Sequence, residues 1–411
     1  MRSQKLVLLL GLCLFILGYT FGSLMCPNTA LQSTEPAPRL LKPPSLPPTA
    51  KPESVFQRNA EVTHPRRIAA PKPTHGKPKQ ESLSITGFSS CTRDLSDEFV
   101  AQLGVFPLNV AMLSPIDGLQ QRQSIVTEAL HPARRNMKLA CYRDGDLVCS
   151  AVSKKGQWET WLMETLALSL FLAGRTGKPL YLDIGGNVGG VAFPVAAYGF
   201  ETHIFEMLPS NQNLLALSRC INDISEHEFK IYPVGLGAKS ETCKMASERG
   251  NQGDGMMLCG NDTDSKLRNG FAIRGTVKIE RLDDLAASYV VPEMTAGRPV
   301  VVKMDVEGQE LNVLAGGMTV FGHRNPPMVV IAEVWAELNV EDFCRKFLPL
   351  NYVGFGYHRR SWITDGESCA AYQSKHIEVD SIAWIQRSFA PLFAKASKET
   401  REKGVLPFHT K

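Results

Sequence analysis

Three groups of residues in this 411-residue chain have the types and spacing to do chemistry together. The stretch LYLDIGGNVGG sets Asp183, Gly185, Asn187 and Gly189 at alternate positions behind a short apolar run. A second apolar run, THIFE, closes on Glu206, 23 residues after Asp183 (206 − 183). Further on, KMDVEGQE supplies Lys303, Asp305, Glu307 and Glu310, and VVIAEVW supplies Glu333. Carboxylates at the ends of apolar runs can hold a cationic ligand or take a proton from a reacting group.

The glycine loop excludes two common ligands. A triphosphate cradle needs Lys followed by Ser or Thr after its glycines, and none follows here. A dinucleotide loop needs G-x-G-x-x-G; from Gly185 the third position is Asn187, and from Gly186 it is Val188. The remaining pattern, D-x-G-x-N-x-G, puts an acid ahead of the first glycine. That acid would repel a pyrophosphate yet attract an ammonium or sulfonium. Gly185 allows close backbone approach, and a helix starting near Val188 would offer N–H groups to a carboxylate. Glu206 stands near the spacing at which an acid accepts two ribose hydroxyls. S-adenosylmethionine (SAM) combines these features, and the loop predicts it as the cofactor.

Methyl transfer from a sulfonium needs an aligned acceptor and, for an aliphatic hydroxyl, a base. Asp305 and Glu307 stand two apart at a strand end and so share a face. Either is the expected base, with Glu333 orienting the acceptor or helping to hold a metal. Glu310 is expected as a surface or capping residue. A divalent ion is left open, because no His stands at ligand spacing. Trp158 with Glu159, and YHRRSW (Tyr357–Trp362), are candidate walls for the acceptor.

The elements that must position these groups alternate. A helix from Trp158 to Ala173 precedes strand PLYLDIG; helix VAFPVAAYG, strand THIFEML, helix SNQNLLALSRCIND and strand FKIYPVGLG follow. After an expected irregular stretch over 238–275, whose residues 244–270 are a candidate lid, strands PVVVKMDVEG and PMVVIAEVW flank helix QELNVLAGG. YVGFGY and SIAWIQR are expected as final strands, with an antiparallel edge. This is the pattern of an α/β, doubly wound, mostly parallel sheet with its ligand at the strands' carboxyl ends.

In that order, LDIGGNVGGVAFPVAAYG, HIFEMLPSNQNLLAL, RLDDL, VVVKMDVEGQELNVLAGG and VVIAEVW resemble FkbM-type methyltransferases over residues 155–390. The resemblance implies a class I SAM-dependent fold acting on hydroxyl oxygens of sugars or small molecules. It also implies that Asp183, Gly185, Asn187 and Gly189 line the methionine end and that Glu206 holds the ribose. Met207 stands where such proteins often carry Pro.

The flanks set the compartment. Residues 1–5 carry Arg2 and Lys5; residues 6–25 are uncharged and long enough to span a bilayer, which predicts a signal-anchor with the rest of the chain translocated. Residues 26–90 are Pro-rich and predicted to be a disordered stem. An extension over 91–154, the methyltransferase domain over 155–390 and a tail over 391–411 complete the chain. A net charge of +4, with the basic excess in the first hundred residues, gives the folded part no polyanion surface and no expected nucleic-acid partner. CYRDGDLVC reads as a hairpin able to join Cys141 to Cys149, and Cys243 could pair with Cys259 across a glycine-rich loop. Asn261 opens one glycosylation sequon. Together these features predict a single-pass type II enzyme of the Golgi or another secretory-pathway membrane, methylating a glycan hydroxyl. A protein or small-molecule methyltransferase, and a silent SAM-binding module, are the alternatives.

Overall fold

Runs such as LYLDI and VVVKM have almost no polar alternation, and a strand of that composition must be covered on both faces. Both are buried along their whole length. The computed structural model describes residues 90–108, 110, 136–248, 250–260, 267, 269–335, 339–357, 359–374 and 380–403. The expected anchor over 6–25, most of the stem and Asn261 lie outside these residues. Among the described residues no helix is long and apolar enough to cross a membrane.

The chain opens with α1 (Asp97–Ala101), β1 (Leu103–Pro107), β2 (Lys138–Tyr142), α2 (Leu147–Lys155) and α3 (Thr160–Ala173). Then come β3 (Leu180–Ile184), α4 (Ala192–Ala197), β4 (Glu201–Phe205), α5 (Pro209–Ile221) and β5 (Phe229–Tyr232). An excursion follows through β6 (Gly235–Leu236), β7 (Glu241–Glu248), β8 (Gly255–Leu258) and β9 (Phe271–Glu280). The second half contains α6 (Leu282–Ala286), α7 (Val290–Thr295), β10 (Val300–Met304), α8 (Glu310–Gly316), α9 (Met318–Phe321) and β11 (Val329–Val334). It ends with α10 (Val340–Phe347), β12 (Tyr352–Gly356), β13 (Ser361–Ile363), α11 (Gly366–Gln373), β14 (Asp380–Gln386) and α12 (Ala390–Lys403).

The main sheet has eight strands in the order β13-β12-β14-β11-β10-β3-β4-β5. Strands β11, β10, β3, β4 and β5 run parallel; β14, β12 and β13 add the antiparallel edge. The chain winds outward from β3 to β5, then restarts at β10 on the other side of β3. That reversal opens a crevice beyond the carboxyl ends of β3 and β10, where doubly wound sheets bind ligands. One face of the sheet packs with α3, α4 and α5 residues such as Phe171, Phe193 and Leu214; the other packs with Leu282, Leu314 and Phe347 of α6, α8 and α10.

Residues 238–275 correct the expected irregular stretch. They enter a second, four-stranded sheet, β6-β9-β7-β8, in which β7 pairs antiparallel with both β8 and β9. Glycines and charged residues there masked an alternating pattern: in β7, Cys243 and Met245 point inward while Thr242 and Lys244 are exposed. Cys243 and Cys259 form a disulfide across β7 and the end of β8, as the loop spacing allowed.

The Cys141–Cys149 hairpin is also corrected. Asp146 caps α2 by accepting from Cys149 N at 2.7 Å, so the chain turns into a helix and both thiols remain free and buried. Cys91 pairs with Cys220 and Cys344 with Cys369. The extension is fastened to α5 by Ala140 N to Ser218 Oγ (2.9 Å) and Tyr142 Oη to Asn211 Oδ1 (3.0 Å). The Cys91–Cys220 link spans 129 residues, and closing a loop that long removes about 5 kcal/mol of unfolded-chain entropy. Cys220→Ser is expected to lower the midpoint of thermal unfolding by several degrees; an unchanged midpoint under oxidising conditions would show the link to be idle.

Candidate active site

The glycine loop holds three residues in left-handed backbone: Gly185 (φ 81°), Asn187 (φ 51°) and Gly189 (φ 92°). Gly185 has no alternative. A Cβ there would lie 1.7 Å from the carbonyl oxygen of Asp305, because β3 and β10 converge at this point. Gly185→Ala is expected to abolish ligand binding or folding, checked by soluble yield and far-UV dichroism; a folded, binding-competent variant would contradict this packing.

Glu206, just past β4, ties the loop down. Its Oε2 accepts from Asn187 N at 2.7 Å and its Oε1 from Leu208 N at 2.7 Å. Burial pushes its carboxyl up to about 7 despite these donors. Gly185 N and Gly186 N donate to Phe205 O (3.0 and 3.1 Å), Val188 N to Asn187 Oδ1, and Gly189 N to Gly186 O. Here the structure corrects two expectations. The helix begins at Ala192 rather than near Val188, and the N–H groups of residues 185–189 are already engaged within the protein.

A cleft of about 580 Å³ lies beyond this loop. Gly185, Asn187 and Glu206 line it, as does the turn between β7 and β8 through Gly253, Asp254 and Gly255. Phe205, Met207, Val234, Leu236 and Met257 give it an apolar side suited to a flat ring, and Glu206, Asp254, Asp305 and Glu307 give it four carboxylates. No Lys, Arg or His is among its described lining residues. Such a wall fits an adenosyl group bearing a sulfonium and an ammonium, and opposes a polyphosphate.

Asp183 and Gly189 do not line the cleft. Asp183 is wholly buried, paired in register with Lys303 across β3 and β10, with Lys303 Nζ 3.4 Å from its Oδ1. The same ammonium donates to Gly185 O at 2.7 Å and lies 3.2 Å from Asp305 Oδ2. Burial alone would lower the lysine's pKa, but Asp305 and Asp183 hold it well above the usual value. Asp183 therefore acts on the loop through Lys303. Gly189 sits against Phe193 and Leu215, where a Cβ would meet carbon atoms at 2.6–2.9 Å.

The three expected catalytic carboxylates do come together. Asp305 and Glu307 line the cleft, and Glu333 at the end of β11 interacts with both. Burial, then Asp305 and Glu307, pushes the Glu333 carboxyl up to about 11, so it carries a proton at neutral pH when the neighbours are ionised. Trp335 Nε1 donates to Glu333 Oε2 at 2.8 Å. Glu307 (φ 57°) and Gly308 (φ 91°) make the sharp turn after β10. Glu310 is not a surface residue. It is fully buried, and its Oε1 accepts from Val306 N (2.9 Å) and Gly308 N (3.4 Å), holding that turn closed.

Glu159 is a further member that sequence spacing only hinted at. It precedes α3 in left-handed backbone (φ 40°), and its carboxyl is pushed up to about 7 by burial first and then by Asp305. Tyr357 and Arg360, from the other candidate wall, line a separate cavity of about 510 Å³ with Glu164, Phe355 and Phe393.

Residues 183–344 match the family model described as the methyltransferase FkbM domain. No curated protein matches the chain. Solved structures similar to it include a SAM-dependent methyltransferase from Agrobacterium tumefaciens (6% identity, covering 61% of this chain and 67% of that one, TM-score 0.31). Others are precorrin-6y C5,15-methyltransferase from Geobacter metallireducens (9%, covering 54% and 88%, TM-score 0.25) and a SAM-dependent methyltransferase from Neisseria gonorrhoeae (10%, covering 61% and 79%, TM-score 0.26). The family match supports a SAM-dependent methyltransferase.

Proposed function

We propose that this chain is an O-methyltransferase that uses SAM to methylate a hydroxyl, most fittingly of a glycan, in the secretory-pathway lumen. One observation carries the reading: an acidic cleft, with no Lys, Arg or His among its described lining residues, opens directly onto the Asp305–Glu307–Glu333 cluster. Bound SAM supplies an electrophilic methyl group whose bond to sulfur breaks as the acceptor oxygen bonds to carbon. Glu206 would accept the ribose hydroxyls of bound SAM, and Asp254 would face its cationic end. Asp305 or Glu307 takes the hydroxyl proton, and Lys303 positions Asp305 at 3.2 Å.

Three disulfides support an oxidising compartment. With the apolar segment over 6–25, they favour a type II membrane protein of the Golgi or a related membrane. There, glycans are abundant hydroxyl acceptors. Offering the purified chain isotopically labelled SAM and an acceptor array tests the reading: label is expected in glycan hydroxyls, and label found only in proteins or small molecules would overturn the glycan assignment.

The Glu206 carboxyl adds a pH signature. Its pKa of about 7 means that it is ionised, and able to attract a cation, only toward higher pH. SAM affinity is therefore expected to fall as pH drops below 7, by at most about tenfold per unit, with a proton released on binding. Calorimetry between about pH 5.5 and 8 checks this; a flat profile in the wild type, matching Glu206→Gln, would contradict it.

A further inference from the structure

We infer that Asp305, Glu310 and Glu333 form a binding site for a hard divalent cation, Mg²⁺ or Mn²⁺, at the inner end of the cleft. One carboxylate oxygen from each of the three lies within 4.8 Å of the other two. The residues come from separate elements, the end of β10, the start of α8 and the end of β11, so the fold rather than local sequence assembles them.

A protein donor engages one oxygen of every carboxylate. Lys303 Nζ lies 3.2 Å from Asp305 Oδ2, Val306 N donates to Glu310 Oε1 at 2.9 Å, and Trp335 Nε1 donates to Glu333 Oε2 at 2.8 Å. Outer donors of this kind orient metal-ligating side chains, and an ion between Glu333 and Asp305 would replace the hydrogen bond those two carboxyls share. The independent sign is Glu310. The residue is 0% exposed, and its Oε2 is buried with no hydrogen-bond partner. A buried carboxylate oxygen left without a donor is costly, and a cation satisfies it.

The donor set selects the ion. Three carboxylates with neither His nor Cys suit Mg²⁺, Mn²⁺ or Ca²⁺ rather than zinc or copper. A divalent ion would supply positive charge that, among the described residues, only Lys303 Nζ beside Asp305 brings within 4 Å of the cluster. Because Asp305 also lines the cleft, an acceptor hydroxyl could complete the coordination shell. There the ion would lower that hydroxyl's pKa, with Glu307 left to take the proton. This catalytic consequence rests on the proposed methyl transfer; ion binding does not.

Titrating the purified full chain with Mn²⁺, followed by calorimetry and by loss of the free-ion electron paramagnetic signal, tests the site without any methyl acceptor. One saturable ion per chain is expected, displaced by Mg²⁺ and weakened at least about tenfold by Glu310→Gln and by Glu333→Gln. Trp335→Phe keeps all three carboxylates and is expected to weaken binding by about tenfold, which guards against loss of fold in the other two. Absence of saturable binding, or equal affinity in wild type and all three variants, would overturn the site. SAM titration of the same samples reports separately on the cofactor cleft.

Discussion

Asp305→Asn is expected to lower the rate of methyl transfer by about 10²–10⁴-fold while SAM affinity changes by no more than about threefold. Among the described residues, Asp305 is the one carboxylate that touches the cleft, the buried Lys303 and the Glu333 side chain at once. The amide keeps the shape but cannot accept the hydroxyl proton, and it leaves Lys303 with Asp183 as its remaining close carboxylate. Glu307→Gln is the paired measurement, since Glu307 lines the same wall. Single-turnover rates at saturating SAM separate the two. A fall in one variant alone identifies the base, and wild-type rates in both would remove the carboxylate mechanism.

Glu206→Ala should raise the dissociation constant for SAM by about 100-fold or more. The change removes a carboxylate facing a cationic ligand and strips the acceptors from Asn187 N and Leu208 N. Leaving a buried donor unsatisfied costs about 1–3 kcal/mol, and two such donors would loosen the loop itself. Glu206→Gln keeps one oxygen acceptor and should therefore bind better than Ala. Fluorescence titration of the two variants checks the order; equal affinities in wild type and Ala would place Glu206 outside the binding site.

Much of this was legible in the sequence because it is local. The glycine loop, Glu206 and KMDVEGQE each occupy a few consecutive residues, and apolar runs bounded by glycines announce the strands that carry them. What depends on strand order was not legible. Lys303 faces Asp183 only because β10 lies beside β3 in register, so an acid that looked like part of the ligand wall proves to hold the loop through a lysine. Glu310 suited either the surface or a cap at the start of its helix, and the tight turn at Glu307 and Gly308 folds the chain back over it, burying it as an acceptor for that turn. The 238–275 segment shows the opposite failure. Its polar and glycine content suggested irregularity, while the stabilising partners of β7 lie on β8 and β9, 8 (255 − 247) to 38 (279 − 241) residues away in sequence. Cys141 and Cys149 misled for a similar reason: a D-G turn suited a hairpin, but Asp146 caps a helix instead.

The most direct test of the account is calorimetric titration of the purified chain with SAM, and in parallel with NADH and ATP. The acidic cleft, with no cationic side chain among its described lining residues, predicts saturable one-to-one binding of SAM that is lost in Glu206→Ala, and no measurable heat from either phosphate-bearing nucleotide. Binding of NADH or ATP with no response to SAM would contradict it.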